Sequence, residues 1–172
     1  MKFMLIRLVM VTIWISACYK WGDWKNWRKY YPTMLFFGVG DLIYTAVFHN
    51  KILWQFQTKV LVPPINELFV IFGIFFPTTL LFLSKFPKNL YHQVLYIGLW
   101  VALYMLIEIF ATSLEMQKNY NGWSIYWSLL HNVIQFPLVA LHHKKPIAAW
   151  IIALIFLTII MKTFNVPFII PK

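Results

Sequence analysis

Residues 90–114 read LYHQVLYIGLWVALYMLIEIFATSL, and this stretch decides the fold class. It contains one acidic residue, Glu108, and no lysine or arginine. It is longer than the roughly 20 residues that an α-helix needs to cross the hydrocarbon core of a bilayer. A soluble protein could not easily keep so long an apolar run away from water, because its exterior must be polar. The stretch therefore predicts a membrane-spanning helix.

Further apolar segments have the same character and predict an all-α fold, a polytopic transmembrane helix bundle of about six helices in one domain covering residues 1–172. These segments are residues 3–19, 32–48, 63–83, 122–141 and 146–164. The second of them is short and is interrupted by Asp41, so a bundle of five helices is the alternative. Loops between the segments are short, so we expect neighbouring helices to run antiparallel and to pack together.

Prolines predict where these helices begin and bend. Pro32, Pro63 and Pro146 stand at the beginning of apolar runs. In the first turn of a helix the backbone N–H has no partner within the helix, so a proline, which lacks it, loses no hydrogen bond there. Pro77 and Pro137 lie inside apolar runs, where each removes one hydrogen bond from the helix. We therefore expect helix starts at the first three positions and kinks at the last two.

The composition is typical of a membrane protein. Of 172 residues, 61% are hydrophobic and 12% are charged, and the mean hydropathy is +0.69. Soluble domains have about 45–50% apolar and about 25% charged residues. The net charge of +10 is divided among short clusters between apolar runs, so it indicates anionic lipid headgroups rather than nucleic acid. We expect the lipid bilayer to be the main partner, and no nucleic acid.

The first segment and the loops predict an orientation. Arg7 interrupts the apolar core that a cleaved signal peptide would need, so the first segment should be retained as an anchor. Loops one, three and five carry more lysine and arginine than loops two and four, which places the odd loops in the cytoplasm. The two tails lie on the same side as loops two and four, and their lysines and arginines reduce the difference in cation number between the two sides.

Residues 21–31, WGDWKNWRKYY, mix tryptophans with cations and predict an interfacial segment.

Polar residues inside the predicted helices are the main functional signal. The chain has only five acidic residues, and Asp41, Glu67 and Glu108 lie within predicted spans. A carboxylate at the centre of a bilayer costs about 2.5–3.5 kcal/mol on insertion scales, so such residues usually face the bundle interior and pair with something. Counted at about 1.5 Å per residue, these acids and His131 converge in the half of the bilayer nearer loops two and four.

This convergence predicts a polar ligand or ion pocket that opens toward loops two and four. The pocket residues are Asp41, Tyr44, Asn66, Glu67, Glu108, His131, Asn132 and Gln135. The residues at its mouth are Trp54, Asn119, Asn121 and Trp123. The alternative for each residue is a structural one, because buried polar side chains often only hydrogen-bond neighbouring helices.

No metal site and no cofactor are expected. Cys18 stands alone, matches no metal-ligand spacing and suits a packing position in the first helix. His142 and His143 precede two lysines, and adjacent histidines point apart on a helix, so we interpret this stretch as a basic loop. Glu115 is expected to be a solvated charge at a helix end. Phosphate-binding glycine loops, zinc-protease motifs, nucleophile elbows and CxxC pairs are missing from the sequence.

Scattered motifs resemble a known family. YPT begins at Tyr31 and is followed by Asp41 and Tyr44, NE stands at residues 66–67, NYNGW at 119–123 and LHHKKP at 141–146. Together with Trp54 and Glu108 they resemble the CBO0543 family of uncharacterised small membrane proteins from spore-forming Bacillota. This resemblance covers nearly the whole chain and implies a multi-pass protein of the bacterial inner membrane. It implies no activity.

A shorter stretch, PPINELFVIFGIFFP at residues 63–77, looks somewhat like the lycopene-cyclase-type membrane domain, in which a proline-rich acidic motif opens a helix. In that domain the acids lie closer to the proline, and here Asn66 stands where a second acid would be expected. The resemblance implies acid–base chemistry on an apolar substrate.

Three functions follow from these features. The first is transport or binding of a small ligand or ion by the intramembrane acids. The second is a non-catalytic membrane assembly factor, associated with sporulation through the family's hosts. The third is an enzyme that acts on a lipid or isoprenoid, with a buried carboxyl group as the acid. A homo-oligomer or a membrane partner protein suits the first two.

Overall fold

The computed structural model describes residues 2–58 and 60–167, which form a bundle of six helical rods and one small β-ribbon. The helices are α1 (Lys2–Trp21), α2 (Trp27–Val47), α3 (Pro63–Val70), α4 (Phe76–Ser84), α5 (Leu90–Ser113), α6 (Ile125–Lys144) and α7 (Pro146–Thr163). A π-helical segment, Ile71–Phe75, joins α3 to α4 in one continuous rod, and a 3₁₀ turn at Trp24–Asn26 precedes α2. The predicted all-α bundle is confirmed.

Four of the rods are long and apolar enough to cross a membrane. They are Met4–Trp21, Pro64–Ser84, Leu90–Ser113 and Pro146–Thr163. The other two rods, α2 and α6, carry more polar residues and lie at the centre. Helix α6 packs against α2, α5 and α7, and α2 also packs against α4. Polar residues can be tolerated there because neighbouring helices cover them.

The second helix begins at Trp27 and not at Pro32, which lies inside α2. The predicted start was wrong because the five residues before the proline are helical as well, and the helix continues across it. Pro32 removes only one hydrogen bond, to the carbonyl of Arg28 in the first turn. That carbonyl lies next to exposed residues of the 21–31 segment, where other donors can reach it.

Pro77 is accommodated by a change of helix type. It lies at the start of α4, directly after the π-helical segment, and the wider π turn moves the backbone away from the proline ring. The same segment brings two rods close together. A Cβ on Gly73 would lie 2.7 Å from Cγ2 of Val11, and a Cβ on Gly38 would lie 2.8 Å from Cγ2 of Ile71. Helix α6 continues through Pro137.

The β-ribbon was not predicted. Strand β1 (Trp54–Phe56) pairs antiparallel with β2 (Gln117–Asn119), with Trp54 opposite Asn119. Each strand has only three residues, which is too short to be recognised from sequence pattern alone. The ribbon joins loop two to loop four, on the side toward which the predicted pocket was expected to open.

The end of α6 also differs from the sequence prediction. His142 and His143 lie in the last turn of α6 and not in a basic loop. His142 is buried, its Nδ1 is 3.0 Å from Oγ1 of Thr33, and its ring stacks on Phe36 at 4.2 Å. Packing against α2 therefore extends the helix into the polar stretch.

The segment at residues 21–31 exposes its tryptophans, as an interfacial segment would. Trp21, Trp24 and Trp27 are all exposed. Asp23 closes the turn between α1 and α2, where it accepts hydrogen bonds from the side chains of Asn26 (3.1 Å) and Tyr30 (3.0 Å). The Asn26 bond, followed by the Tyr30 bond, holds the pKa of Asp23 below its usual range.

Candidate functional site

A cavity of about 300 Å³ lies between the rods, with walls that are mostly aromatic and aliphatic. Side chains from α1, α2, α5, α6 and α7 line it, together with residues of the π-helical segment and of the β-ribbon. Its polar lining residues are Arg7, Asp41, Tyr44, Glu108, Gln117, Ser128, His131, Asn132 and Gln135. An apolar cavity with a few polar groups is the usual form of a small-molecule site.

Arg7 is the cation of this site. It is only 7% exposed, although it lies in an apolar helix on the outside of the bundle. Its guanidinium donates to Oδ1 of Asn66 and to the backbone carbonyl of Gln57, and the charge of Glu67 attracts it. Arg7 therefore holds loop two and the start of α3 against α1.

Asp41 and Glu67 form a carboxyl pair. Their side chains lie next to each other, and Oδ2 of Asp41 is buried with no hydrogen-bond partner among the described residues. Two carboxyl groups so close repel each other when both are ionised. Asp41 lines the cavity, whereas Glu67 lies behind it.

Glu108 lies in a second polar cluster. Oγ of Ser128 donates to Oε1 of Glu108 at 2.5 Å, and Gln117 of strand β2 lies near this carboxylate. Nε1 of Trp123 donates to the same Ser128 oxygen at 2.9 Å. The Asn132 amide donates to the Ser128 carbonyl at 2.9 Å, which anchors it within α6.

Tyr44 has a structural role in closing the cavity. Its hydroxyl donates to the carbonyl of Trp54 at 2.7 Å and accepts from the backbone N–H groups of Leu53 (3.1 Å) and Trp54 (2.8 Å). Its ring stacks on Trp54 with 3.7 Å between the ring centroids. These contacts fix loop two over the end of the cavity.

His131 and Gln135 keep unused hydrogen-bonding groups in the cavity. Both line it on one face of α6, and neither side chain bonds to another residue in the described part of the chain. The His131 ring lies among Trp54 (centroids 5.5 Å apart), Phe156 (6.0 Å) and Trp123 (6.5 Å). Such groups are the ones free to bind a ligand.

The structure therefore brings six of the eight predicted pocket residues to one cavity wall: Asp41, Tyr44, Glu108, His131, Asn132 and Gln135. Asn66 and Glu67 lie behind that wall, next to Arg7. Of the four predicted mouth residues, Trp54 and Trp123 line the cavity and Asn119 and Asn121 do not. The Asn121 amide donates to the Ile52 carbonyl at 2.7 Å, so it joins loop four to loop two.

Sequence reasoning missed three residues of the site. Arg7 had a visible signal, a lone charge within an apolar run, which we interpreted only as an interruption of a signal peptide. Ser128 and Gln117 had no signal, because only the packing of α5 on α6 and the pairing of the ribbon bring them next to Glu108. Within residues 2–58 and 60–167, no group of three His, Cys, Asp or Glu side chains could hold a metal ion.

Comparisons with known proteins found no similar protein. No protein-family model, no curated protein and no solved structure matches this chain. The resemblance to the CBO0543 family therefore stays a prediction that rests on the motifs quoted above.

Proposed function

We propose that this chain is a multi-pass protein of a bacterial inner membrane whose central cavity binds a small ligand or ion, with transport as the purpose. Membrane residence is supported by the surface of the bundle. Leu95, Leu99 and Leu106 of α5 are 50%, 69% and 65% exposed, and Ile151 and Ile155 of α7 are 54% and 55% exposed. Apolar surface on that scale suits contact with lipid chains.

One observation carries the ligand-binding part of the proposal. The cavity contains polar groups with hydrogen-bonding capacity that the described protein residues do not use, namely the carboxyl of Asp41, the ring of His131 and the amide of Gln135. Polar groups used only to join helices would bond to one another, as Glu108 and Ser128 do.

Transport is favoured over static binding because two carboxyl groups, those of Asp41 and Glu67, lie close together beside the cavity and near Arg7. Carboxyl groups inside a membrane bundle commonly belong to the path of a transported ion or proton. Helices α2 and α6, with 21 and 20 residues, are long enough at about 1.5 Å per residue to cross the bilayer and enclose such a path.

Flux through the purified protein in proteoliposomes tests the proposal. We expect vesicles that contain the wild-type chain to pass protons, metal ions or small organic cations, measured with entrapped pH-sensitive and ion-sensitive dyes. Asp41→Asn and Glu67→Gln should reduce that flux at least about tenfold, because each removes one of the two ionisable carboxyl groups beside the cavity. Glu115→Gln is the matched control, since Glu115 is exposed and pairs only with Lys118 at 3.7 Å. Absence of flux for all three classes would contradict transport.

An enzyme that acts on an apolar lipid is the second candidate, and the apolar walls of the cavity beside two neighbouring carboxyl groups favour it. In that case Asp41 would donate a proton to the substrate. Lipid and isoprenoid profiles of a deletion strain, during growth and during sporulation, test this candidate. Unchanged profiles would count against it.

A further inference from the structure

We infer that the ligand of the cavity is a single-chain amphiphile, with its hydrogen-bonding head toward the β-ribbon and its hydrocarbon chain toward the opposite end. This inference rests on the proposed ligand-binding role of the cavity and names its ligand class. It is based on the length of the cavity, on the division of its lining into a polar and an apolar half, and on hydrogen-bonding groups that have no partner.

The cavity is elongated along the helix axes. On α6 its lining extends from Ser128, which bonds to Trp123 near the ribbon, to Val139, a distance of about 16 Å at about 1.5 Å per residue. On the antiparallel helix α7 the lining extends from Ile160 to Trp150, which gives about 15 Å. A volume of about 300 Å³ spread over this length accommodates one extended chain rather than a compact molecule.

Polar and apolar side chains line different halves of this length. The charged, amide and imidazole groups of the lining all lie between the ribbon and Gln135, which is one turn beyond His131 on α6. Burial of a hydrocarbon chain in the other half is favourable, whereas a polar group there would lose its hydrogen bonds to water. That half is lined by the hydrocarbon side chains of Phe36, Phe37, Phe75, Leu138 and Val139.

Unpaired hydrogen-bonding groups mark the position of the head. His131 and Gln135 share one face of α6, and neither side chain bonds to another residue among residues 2–58 and 60–167. Oδ2 of Asp41 also lacks a partner within these ranges. In the same half of the cavity, Glu108 and Ser128 bond to each other, so the lack of partners is specific to the first three groups.

These groups suit a head that both donates and accepts hydrogen bonds. The amide of Gln135 offers a donor and an acceptor, and each ring nitrogen of His131 can take either role. A hydroxyl group has the same dual capacity and can therefore bond to both side chains. A medium-chain alcohol such as decan-1-ol is the simplest molecule with this head and a chain for the apolar half.

Photoaffinity labelling tests the orientation of the ligand. Two analogues of decan-1-ol are used, one with a diazirine next to the hydroxyl and one with a diazirine next to the far end of the chain. With the full chain in lipid nanodiscs, peptide mass spectrometry should find the first probe on residues 131–135 and the second on residues 36–37 and 138–139. Excess decan-1-ol should reduce both labels at least about fivefold, as expected for one saturable site.

The reverse pattern of labels would overturn the inference. Labels confined to lipid-exposed positions such as Leu99 and Ile155 would also overturn it. If the ion flux of the proposed transport were present at the same time, only the ligand class would be wrong. Specific labels in the cavity without any ion flux would support the amphiphile and contradict ion transport.

A second hydroxyl at the far end of the chain tests the apolar half. Decane-1,10-diol has the same length as decan-1-ol, but its second hydroxyl would lie next to Phe37 and Leu138, where no hydrogen-bond partner is offered. At equal concentration in the bilayer, the diol should compete with the photoprobes at least about tenfold more weakly. Equal competition by the two molecules would contradict the division of the cavity.

Variants of the head site separate hydrogen bonding from simple partition into the protein. His131→Leu and Gln135→Leu should each weaken competition by decan-1-ol at least about threefold, because each removes one partner of the hydroxyl. Thr158→Val is the matched control, since it removes a hydroxyl on α7 that does not line the cavity. Thermal unfolding in detergent shows which variants keep the wild-type structure. Unchanged competition in both folded α6 variants would contradict the inference.

Discussion

Arg7 shows how one residue can decide the local structure of this protein. It lies on a helix that is otherwise apolar, and two hydrogen bonds join it to Asn66 and to the backbone of loop two. A buried guanidinium without partners would be very unfavourable, so α1 can pack only in the register that reaches these acceptors. The residue therefore determines the position of α1 on the bundle.

At this residue scale we expect Arg7→Met to destabilise the protein by about 2–3 kcal/mol, because charged hydrogen bonds are lost and Glu67 loses its attracting charge. The measurement is reversible unfolding in detergent, followed by tryptophan fluorescence. Lys20→Met, a change of an exposed cation on the same helix, should have almost no effect.

The double variant Arg7→Met with Glu67→Gln tests whether the lost attraction between Arg7 and Glu67 causes part of this destabilisation. Removing the partner charge should restore part of the lost stability, so the two changes should be less than additive. Full additivity would show that Glu67 does not interact with Arg7.

At the scale of elements, the π-helical segment is the contact point between three rods. Gly73 lets α1 approach this segment, and Gly38 lets α2 approach it from the other side. Helices in a bilayer associate through such close packing of small residues, since lipid chains are as apolar as the side chains they replace. The segment thereby holds α2, which carries Asp41, close to the rod that carries Glu67.

Gly73→Ala should destabilise the bundle by about 1–3 kcal/mol, because the added methyl group would lie 2.7 Å from Val11. Thermal unfolding in detergent measures the change, and Val11→Ala in the same chain should restore most of it. Gly98→Ala is the matched control, because a Cβ there meets nothing within 4 Å. A similar loss of stability in both glycine variants would argue against a packing origin.

At the scale of the whole molecule, the arrangement of rods follows from polarity. The rods of highest mean hydropathy, α5 and α7, expose most of their surface, and the more polar α2 and α6 lie between them and the remaining rods. This is the reverse of a soluble bundle, in which the apolar face is turned inward.

The orientation of the chain in the membrane is a property of the whole molecule, and labelling of introduced cysteines tests it. In a Cys18→Ala background, Asn50→Cys in loop two should react with a membrane-impermeant maleimide in intact cells, and Lys88→Cys in loop three should react only after permeabilisation. Both positions are exposed. Labelling of loop three alone in intact cells would reverse the predicted topology.

The fold class could be predicted from sequence because hydropathy and helix length are local properties. The apolar runs around Leu99 and Ile155 correspond to α5 and α7 almost to the residue. Helix starts were predicted less accurately near prolines, as at Pro32. Whether a helix can continue across a proline depends on whether the carbonyl that loses its hydrogen bond can reach solvent, which the local sequence does not show.

The candidate site was only partly predictable. Depth along each helix follows from counting residues, and Asp41, Glu108 and His131, which were predicted at similar depths, all line one cavity. Rotation about each helix axis, which decides whether a residue faces the cavity or lies behind it, depends on packing. Asn66 accordingly bonds to Arg7, and neither Asn66 nor Glu67 lines the cavity.

The sequence by itself therefore determined that this chain forms long apolar helices and that a few polar residues lie deep within them, because both follow from composition along the chain. Only the tertiary structure decided which of those polar groups satisfy one another and which remain free in the cavity. Hydrogen bonds such as those from Ser128 to Glu108 and from Tyr44 to loop two join residues far apart in sequence. Their formation depends on helix rotation, the π-helical segment and the β-ribbon, none of which local pattern specifies.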